Sequence, residues 1–180
     1  MSLALPNRDR VINEYSITYI KRPSVCLPIP GTLEAIAPLN RGRRYIATCS
    51  DQAGNAQGPF SQADLHATHG RMVATTARMG RRIDGICCCT RARDEHSPGD
   101  KPAPAGPRAL SMRKLSRTPD VATVIGNSLR DIEAALTTGC LPPLVPTDNS
   151  VNNEMAASPL GVVGSFDGLL SAVDWLRTHC

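Results

Sequence analysis

The chain has 180 residues and a formal net charge of +4, with 41% hydrophobic and 20% charged residues. This balance is typical of a globular protein with an aliphatic core and excludes disordered or fibrous chains. Aromatic residues make up 3%, too few for the stacking platforms that bind single-stranded nucleic acid. We therefore predict one globular domain over residues 1–180.

The first half of the chain alternates short apolar runs with helical patterns. Residues 3–5 predict a buried strand, although Pro6 removes a backbone donor there. Thr32 is a candidate cap for the first helix, which we expect Pro38 to shorten. Residues 45–49 then predict a second strand that runs into a polar loop.

The second half repeats the same order. Ser61 and Asp64 form a capping-box pattern before a long helix whose apolar face would include Leu65, Met72, Val73 and Met79. Further strands are predicted at residues 83–89, 121–127, 144–145 and 160–163, and helices at 109–117, 129–138 and 166–176.

Strand-then-helix alternation predicts an α/β fold, a Rossmann-like doubly wound parallel sheet covered on both faces. In such sheets ligands bind at the carboxyl ends of the strands. Asn7, Ser50, Cys89 and Asn127 occupy those predicted ends. The sequence therefore places a candidate site at this edge of the sheet.

Four polar blocks follow these strands, in the order "NRDRVIN" from Asn7, "SDQAGNAQG" from Ser50, "DKPAP" from Asp100 and "IGNSLRDIEAA" from Ile125. Together they resemble the haloacid dehalogenase-like phosphatases. Within that superfamily they resemble the D-glycero-D-manno-heptose 1,7-bisphosphate 7-phosphatase family, which is related to the histidinol-phosphate phosphatases. The resemblance covers residues 3–148 and implies a minimal cap, hydrolysis of sugar phosphate monoesters, and dependence on magnesium.

The resemblance implies catalytic positions at Asn7 and Asp9. In the family an aspartate in the first position attacks phosphorus, and a second aspartate two residues later is the general acid and base. Asn7 stands in the nucleophile position, and a neutral carboxamide is a poor nucleophile and a poor acyl-phosphate precursor. Asp9 matches the general acid.

Substrate-binding positions implied by the resemblance are Ser50, Asp51, Gln52, Asp100 and Lys101. Ser50 would donate a hydroxyl to the phosphoryl group, and Lys101 would neutralise its charge. Asp51 stands where the family carries asparagine, and Asp100 where it carries arginine. Both changes place negative charge where a phosphate is expected.

The magnesium positions implied by the resemblance are Asp9, Asn127 and Asp131. Magnesium prefers anionic oxygen ligands, so amides at Asn7 and Asn127 predict weakened binding. Asp131 has an equally good role as a first-turn acid that favours its helix dipole. Of the family's zinc ligands only Cys89 is present, so we expect no zinc.

Three other features receive ordinary structural interpretations. The run from Cys87 to Cys89 is expected to end a buried strand, and the seven cysteines suit a reducing compartment. His66 and His69 are expected on an exposed helix face. The arginine clusters near Arg43 and Arg81 are expected to be solvated surface, not a nucleic-acid tract.

The functional hypothesis is a homologue of the heptose bisphosphate phosphatases with lost or much reduced activity. An active phosphatase of the same family and a non-catalytic module that binds a phosphosugar or a protein partner remain as alternatives. Paired Asp-to-Asn exchanges also occur in engineered substrate traps, although Asp51 does not fit that purpose. We expect a cytoplasmic monomer that binds neither nucleic acid nor membrane.

Overall fold

A computed structural model describes residues 2–14, 16, 20, 23–51, 61–89, 122–146 and 161–180, with the backbone alone at residues 50, 51, 88 and 89. A 3-10 turn spans Pro23–Val25. The other elements, in chain order, are β1 (Leu3–Pro6), α1 (Thr32–Arg41), β2 (Tyr45–Asp51), α2 (Gln62–Arg78), β3 (Gly85–Cys89), β4 (Ala122–Ile125), α3 (Leu129–Leu136), β5 (Pro143–Leu144), β6 (Gly164–Ser165) and α4 (Leu169–His179).

The strands β1 to β4 form a parallel sheet in the order β3-β2-β1-β4. β5 and β6 form a parallel pair. Parallel bridges from Thr123 to Leu141 and from Gly126 to Leu144 place that pair beyond β4. From β1 the chain adds β2 and β3 on one side of the sheet and then β4 on the other side. The crevice between β1 and β4 is therefore the topological switch point. The predicted α/β parallel sheet is confirmed.

The sheet is buried on both faces. Along β1, Ala4 belongs to one apolar cluster, whereas Leu3 and Leu5 belong to another on the opposite face. A strand with two buried faces is typical of a parallel sheet covered by helices on both sides. Among the described residues the buried core is aliphatic, as the composition predicts.

The start and length of α1 differ from prediction. The helix is capped by Gly31, with φ 84°, and Thr32 is its first residue. The Thr32 hydroxyl instead donates to the carbonyl oxygens of Ile12 and Ile29, at 3.1 and 2.7 Å. Pro38 lies inside a helix that continues to Arg41. Buried Leu33, Ile36 and Leu39 on one face outweigh the backbone bond that proline removes.

The predicted long helix is confirmed in α2. Asp64 N donates to Ser61 Oγ at 3.1 Å, and Asp64 Oδ2 accepts from Ser61 N at 3.0 Å, which completes the capping box. The predicted apolar face was partly wrong, because Val73 and Met79 are exposed. The buried stripe of α2 comprises Leu65, Thr68, His69, Met72 and Thr76.

Arg44 corrects the expectation that its cluster is wholly solvated. This side chain is buried, and its Nη2 donates to the carbonyl oxygen of Leu176 at 3.3 Å. Leu176 lies near the carboxyl end of α4, where the helix dipole favours a cation, and its carbonyl oxygen also accepts from Cys180 N at 3.1 Å. The bond therefore ties the closing helix to the start of β2.

The described cysteines Cys26, Cys49, Cys87, Cys140 and Cys180 are all free thiols. Cys87 is buried in the middle of β3, which ends at Cys89, while the side chains of Cys88 and Cys89 lie outside the described part. Burial is the main reason that the pKa of the Cys26 thiol is raised. No helix in the described ranges is long and apolar enough to cross a membrane.

Candidate functional site

Asn7 begins the candidate site at the end of the central strand. Pro6 is the last residue of β1, and the next donor, Asn7 N, bonds the carbonyl oxygen of Ile125 at 2.9 Å. Asn7 also forms a parallel bridge with Cys49 of β2. These pairings hold the backbone of Asn7 between the ends of β2 and β4, at the switch point of the sheet.

The side chains of Asn7 and Asn127 contact each other directly. Asn7 Nδ2 donates to Asn127 Oδ1 at 3.1 Å and lies 3.5 Å from Asp131 Oδ2. The opposite amide orientation would turn the Asn7 carbonyl oxygen toward the Asp131 carboxylate, so the donor orientation is favoured. Asn7 Oδ1 is buried and has no hydrogen-bond partner among the described residues.

Asp131 stabilises the turn that brings Asn127 to the site. Its Oδ2 accepts from the backbone N–H groups of Asn127 and Ser128 at 3.2 and 3.1 Å, and from Ser128 Oγ at 2.7 Å. Asp131 is only 1% exposed. Of the two roles predicted for it, the structure shows the one at the helix start.

Gly126 permits this close approach of α3 to β4. A Cβ atom at Gly126 would lie 2.1 Å from Asp131 Cβ and 2.7 Å from its Cγ. Any larger residue would displace the carboxylate that holds the turn. The glycine thus positions Asn127 through Asp131.

Asp9 lies two residues beyond Asn7 and is held by Arg8. Arg8 Nε donates to Asp9 Oδ1 at 2.8 Å and Arg8 Nη2 donates to Asp9 Oδ2 at 2.9 Å. The Arg8 side chain is 1% exposed and that of Asp9 is 31% exposed. The carboxylate is therefore the solvent-facing end of a buried charge pair.

His69 of α2 completes this charge pair and corrects a prediction. The histidine was expected on an exposed face, yet it is 9% exposed, and its Nε2 lies 3.1 Å from Arg8 Nη1. Burial, together with the Arg8 charge, lowers the pKa of His69 to about 4. The imidazole is neutral at pH 7 and accepts the guanidinium N–H.

The sequence patterns did not identify Arg8 or His69 as members of the site. The sequence around Arg8 carries no pattern that marks it as buried. His69 carried a detectable signal, because it lies on the helical stripe that starts at Leu65 and continues to Met72. A polar residue on a buried stripe requires a partner.

The loop after β1 fixes the position of Asp9. The N–H groups of Ile12 and Asn13 both donate to the carbonyl oxygen of Arg8, at 3.1 and 2.9 Å. Arg10 has φ 66°, a left-handed conformation that costs a side-chain residue about 1 kcal/mol or more. Ile12 is fully buried, so the loop is anchored by its own side chains.

The other predicted positions are only partly described. Ser50 and Asp51 end β2 and pair in register with Cys88 and Cys89 of β3. Their backbone therefore lies at the same edge of the sheet as Asn7. Three predicted positions lie outside the described residues, namely Gln52, Asp100 and Lys101.

Most side-chain oxygens that the structure describes at this edge already accept hydrogen bonds, and the buried Asn7 Oδ1 is an exception. Asn7 presents an N–H donor, while both oxygens of Asp9 and one oxygen of Asp131 already accept hydrogen bonds. Across the described ranges, no three His, Cys, Asp or Glu side chains form a group that could hold a metal ion. Magnesium requires anionic oxygens that are available to it.

Curated relatives of this chain are named as heptose-1,7-bisphosphate 7-phosphatases, of the beta or the alpha form of the sugar. The D-glycero-beta-D-manno-heptose-1,7-bisphosphate 7-phosphatase of Bordetella bronchiseptica is 36% identical over 151 residues, which cover 83% of each chain. The enzyme of that name from Pseudomonas aeruginosa is 32% identical over 177 residues, which cover 97% of each chain. No protein-family model matches the sequence.

Solved structures agree with these relatives. The D,D-heptose 1,7-bisphosphate phosphatase of Bordetella bronchiseptica, complexed with magnesium and phosphate, superposes with a TM-score of 0.91 at 30% identity and covers 100% of both chains. The corresponding phosphatase from Burkholderia thailandensis gives a TM-score of 0.71 at 29% identity, over 98% of this chain and 99% of that one. With its fold and its sequence both matched over most of their length, the chain belongs to the D-glycero-D-manno-heptose 1,7-bisphosphate 7-phosphatase family of haloacid dehalogenase-like proteins.

Proposed function

We propose that this chain is a single-domain member of its family that binds a phosphorylated sugar but has lost most or all of its phosphatase activity. The observation that supports this proposal is the hydrogen bond from Asn7 Nδ2 to Asn127 Oδ1. Two amides bond each other at the position where the family resemblance implies two carboxylates that share a metal ion.

The first reason concerns the nucleophile. Attack on phosphorus needs an oxygen with high electron density, and the carboxamide of Asn7 is neutral. Its Nδ2 is already a donor to Asn127, and its Oδ1 is buried. An acyl-phosphate intermediate of the aspartyl type therefore has no precursor at this residue.

The second reason concerns the charge of the site. The neighbour from Bordetella bronchiseptica was solved with magnesium and phosphate. In this chain the hydrogen bond from Asn7 Nδ2 to Asn127 Oδ1 links the ends of β1 and β4. We infer that the amide pair replaces the metal as the link between the two strand ends and that magnesium binds weakly or not at all.

Retention of Asp9 in an ordered setting favours a binding role over loss of the whole site. Its carboxylate is held by two bonds from Arg8 and remains 31% exposed. A fixed carboxylate at the cleft can accept hydrogen bonds from sugar hydroxyl groups. The ligand class that we propose is a heptose phosphate, by analogy with the names of the relatives.

The experiment is a phosphate-release assay with D-glycero-D-manno-heptose 1,7-bisphosphate and excess Mg²⁺. The natural chain is compared with the double variant Asn7→Asp/Asn127→Asp. We expect the natural chain to be at least about 1,000-fold slower, because removing a nucleophile or its activation commonly costs 10³ to 10⁶ in rate. The triple variant that adds Asp9→Ala is the control for general-acid chemistry.

Turnover by the natural chain that Asp9→Ala abolishes would show an active phosphatase and overturn the proposal. Calorimetry with the same substrate tests the binding half, because it detects a ligand whether or not turnover occurs. A natural chain that neither hydrolyses nor binds the bisphosphate would contradict phosphosugar binding and leave a protein-partner role.

A further inference from the structure

We propose that His69 is a positioning residue for Asp9, acting through Arg8. The three side chains form one chain of contacts, from the buried face of α2 to the loop after β1 and then to the cleft. The kinetic part of the test rests on the proposed function, since it uses the variant in which that proposal expects turnover to return.

The guanidinium of Arg8 is the centre of the contacts. A fully buried arginine keeps its charge, and its burial is tolerated only when carboxylate and hydrogen-bond partners surround it. Arg8 is 1% exposed and donates from Nε and Nη2 to Asp9. The bidentate geometry fixes the plane of the Asp9 carboxylate as well as its distance.

His69 supplies the next contact. Arginine has no acceptor atom, so the 3.1 Å approach of Arg8 Nη1 to His69 Nε2 requires the lone pair of Nε2 to accept. The imidazole proton then resides on Nδ1, and the ring is neutral. A neutral acceptor therefore contacts Nη1, the guanidinium nitrogen that does not donate to Asp9.

Helix packing fixes the histidine itself. Leu65 and Met72 flank His69 on the buried stripe of α2, at 1% and 4% exposure. The helix also begins at a complete capping box. Asp9 is therefore held in place by a packed helix, through His69 and Arg8, and not only by its own loop.

The test uses Asn7→Asp/Asn127→Asp as the parent and adds His69→Ala, His69→Gln or His66→Ala. A glutamine side chain retains an acceptor oxygen, whereas alanine removes it. We expect His69→Ala to lower kcat about 10- to 100-fold with KM within about 3-fold, since a general acid contributes 10²–10⁴ and small misplacements are costly.

His69→Gln should stay within about 3-fold of the parent in kcat. His66→Ala is the matched control, because His66 is exposed one helical turn earlier and should leave both constants unchanged. Equal kcat in His69→Ala and the parent would overturn the proposal. So would equal losses in the alanine and glutamine variants, because they would indicate packing instead of an acceptor.

A second readout needs no turnover. In the natural chain the Arg8 Nε–H group should give a slowly exchanging NMR signal, lost in His69→Ala and kept in His69→Gln. If the parent shows no activity, the attribution of the lost activity to Asn7 and Asn127 fails, while this signal still decides the role of His69. A signal unchanged by His69→Ala would show that Arg8 and Asp9 are held without the histidine.

Discussion

Asn7 and Asn127 are close in shape to aspartate, so their effect on the site is one of charge. Where the family resemblance implies two anions, the strand ends carry a donor and an acceptor 3.1 Å apart. The nearby Asp131 then meets an N–H group at 3.5 Å where a carboxylate would repel it. The Asn7 amide nitrogen is therefore paired at this edge, whereas its buried Oδ1 has no hydrogen-bond partner among the described residues.

His69 makes stability depend on pH in a defined window. The groups that face it are Arg8, Asp9 and His66, and its pKa falls from 6.5 to about 4 on folding. As pH falls below 6.5, the unfolded chain therefore binds a proton at His69 before the folded chain does. Stability from the neutral imidazole is complete above that value and is lost as pH falls to about 4.

The measurement is urea unfolding at pH 7.0, 5.5 and 4.5 for the natural chain and His69→Gln. Each pKa unit is worth about 1.4 kcal/mol, so the natural chain should lose roughly 2 to 3 kcal/mol more than the variant across the window. His66→Ala should keep the natural slope. Parallel curves for the natural chain and His69→Gln would show that His69 titrates normally.

At this scale the sequence predicted part of the arrangement. Asn7 and Asn127 follow strands, and the alternation rule brings such residues to one edge, where the structure brings them together. The contact between Arg8 and His69 joins residues 61 apart in sequence. It depends on how α2 lies over the loop after β1, which local patterns do not specify.

At the scale of elements, the joint between β4 and α3 depends on the missing side chain at Gly126. Substitution Gly126→Ala places a Cβ atom 2.1 Å from Asp131 Cβ, an atom fixed in the first turn of α3. We expect a loss of about 2 kcal/mol or more in unfolding free energy, since overpacking typically costs 1–3. Chemical denaturation would measure it.

Gly70→Ala is the matched control for that substitution. Gly70 lies within α2, and a Cβ atom there would meet nothing within 4 Å. Because alanine favours a helix interior by about 0.5–1 kcal/mol over glycine, this variant should be more stable than the natural chain. A Gly126→Ala variant as stable as the natural chain would contradict the close packing of α3 on β4.

Element types were predictable from periodicity, and element ends were less so. The capping box at Ser61 fixed the start of α2, because side-chain chemistry acts locally there. The final helix begins at Leu169, not at Phe166, and the preceding strand is Gly164–Ser165. Apolar residues before that helix belong to the strand and its connection, which hydrophobic pattern alone does not separate.

For the whole molecule, the hydrogen bond between the side chains of Asn7 and Asn127 predicts a thermal stability that does not depend on magnesium. We expect the melting temperature of the natural chain to be the same in EDTA and in a test concentration of about 10 mM Mg²⁺. At that concentration, magnesium bound to a site with a Kd of about 0.1 mM would raise the free energy of unfolding by about 2.7 kcal/mol. Asn7→Asp/Asn127→Asp should melt lower in EDTA, through carboxylate repulsion, and recover with Mg²⁺.

For a protein of this size 2.7 kcal/mol corresponds to about 5 to 10 °C, which scanning fluorimetry resolves. Ca²⁺ at equal concentration is the control for ionic strength. A rise of that size in the natural chain with Mg²⁺ would contradict the inference that the amide pair replaces the metal. Failure of the double variant to respond would place the loss of metal binding at other residues.

The strand order also has a consequence for synthesis of the chain on the ribosome. β1 is made first, yet its neighbour β4 and the partner of the Asn7 side chain lie about 120 residues later. The bond from Arg44 to Leu176 spans 132 residues. β1 therefore stays unpaired on its β4 side until β4 has been synthesised, so completion of the sheet depends on contacts between residues far apart in sequence.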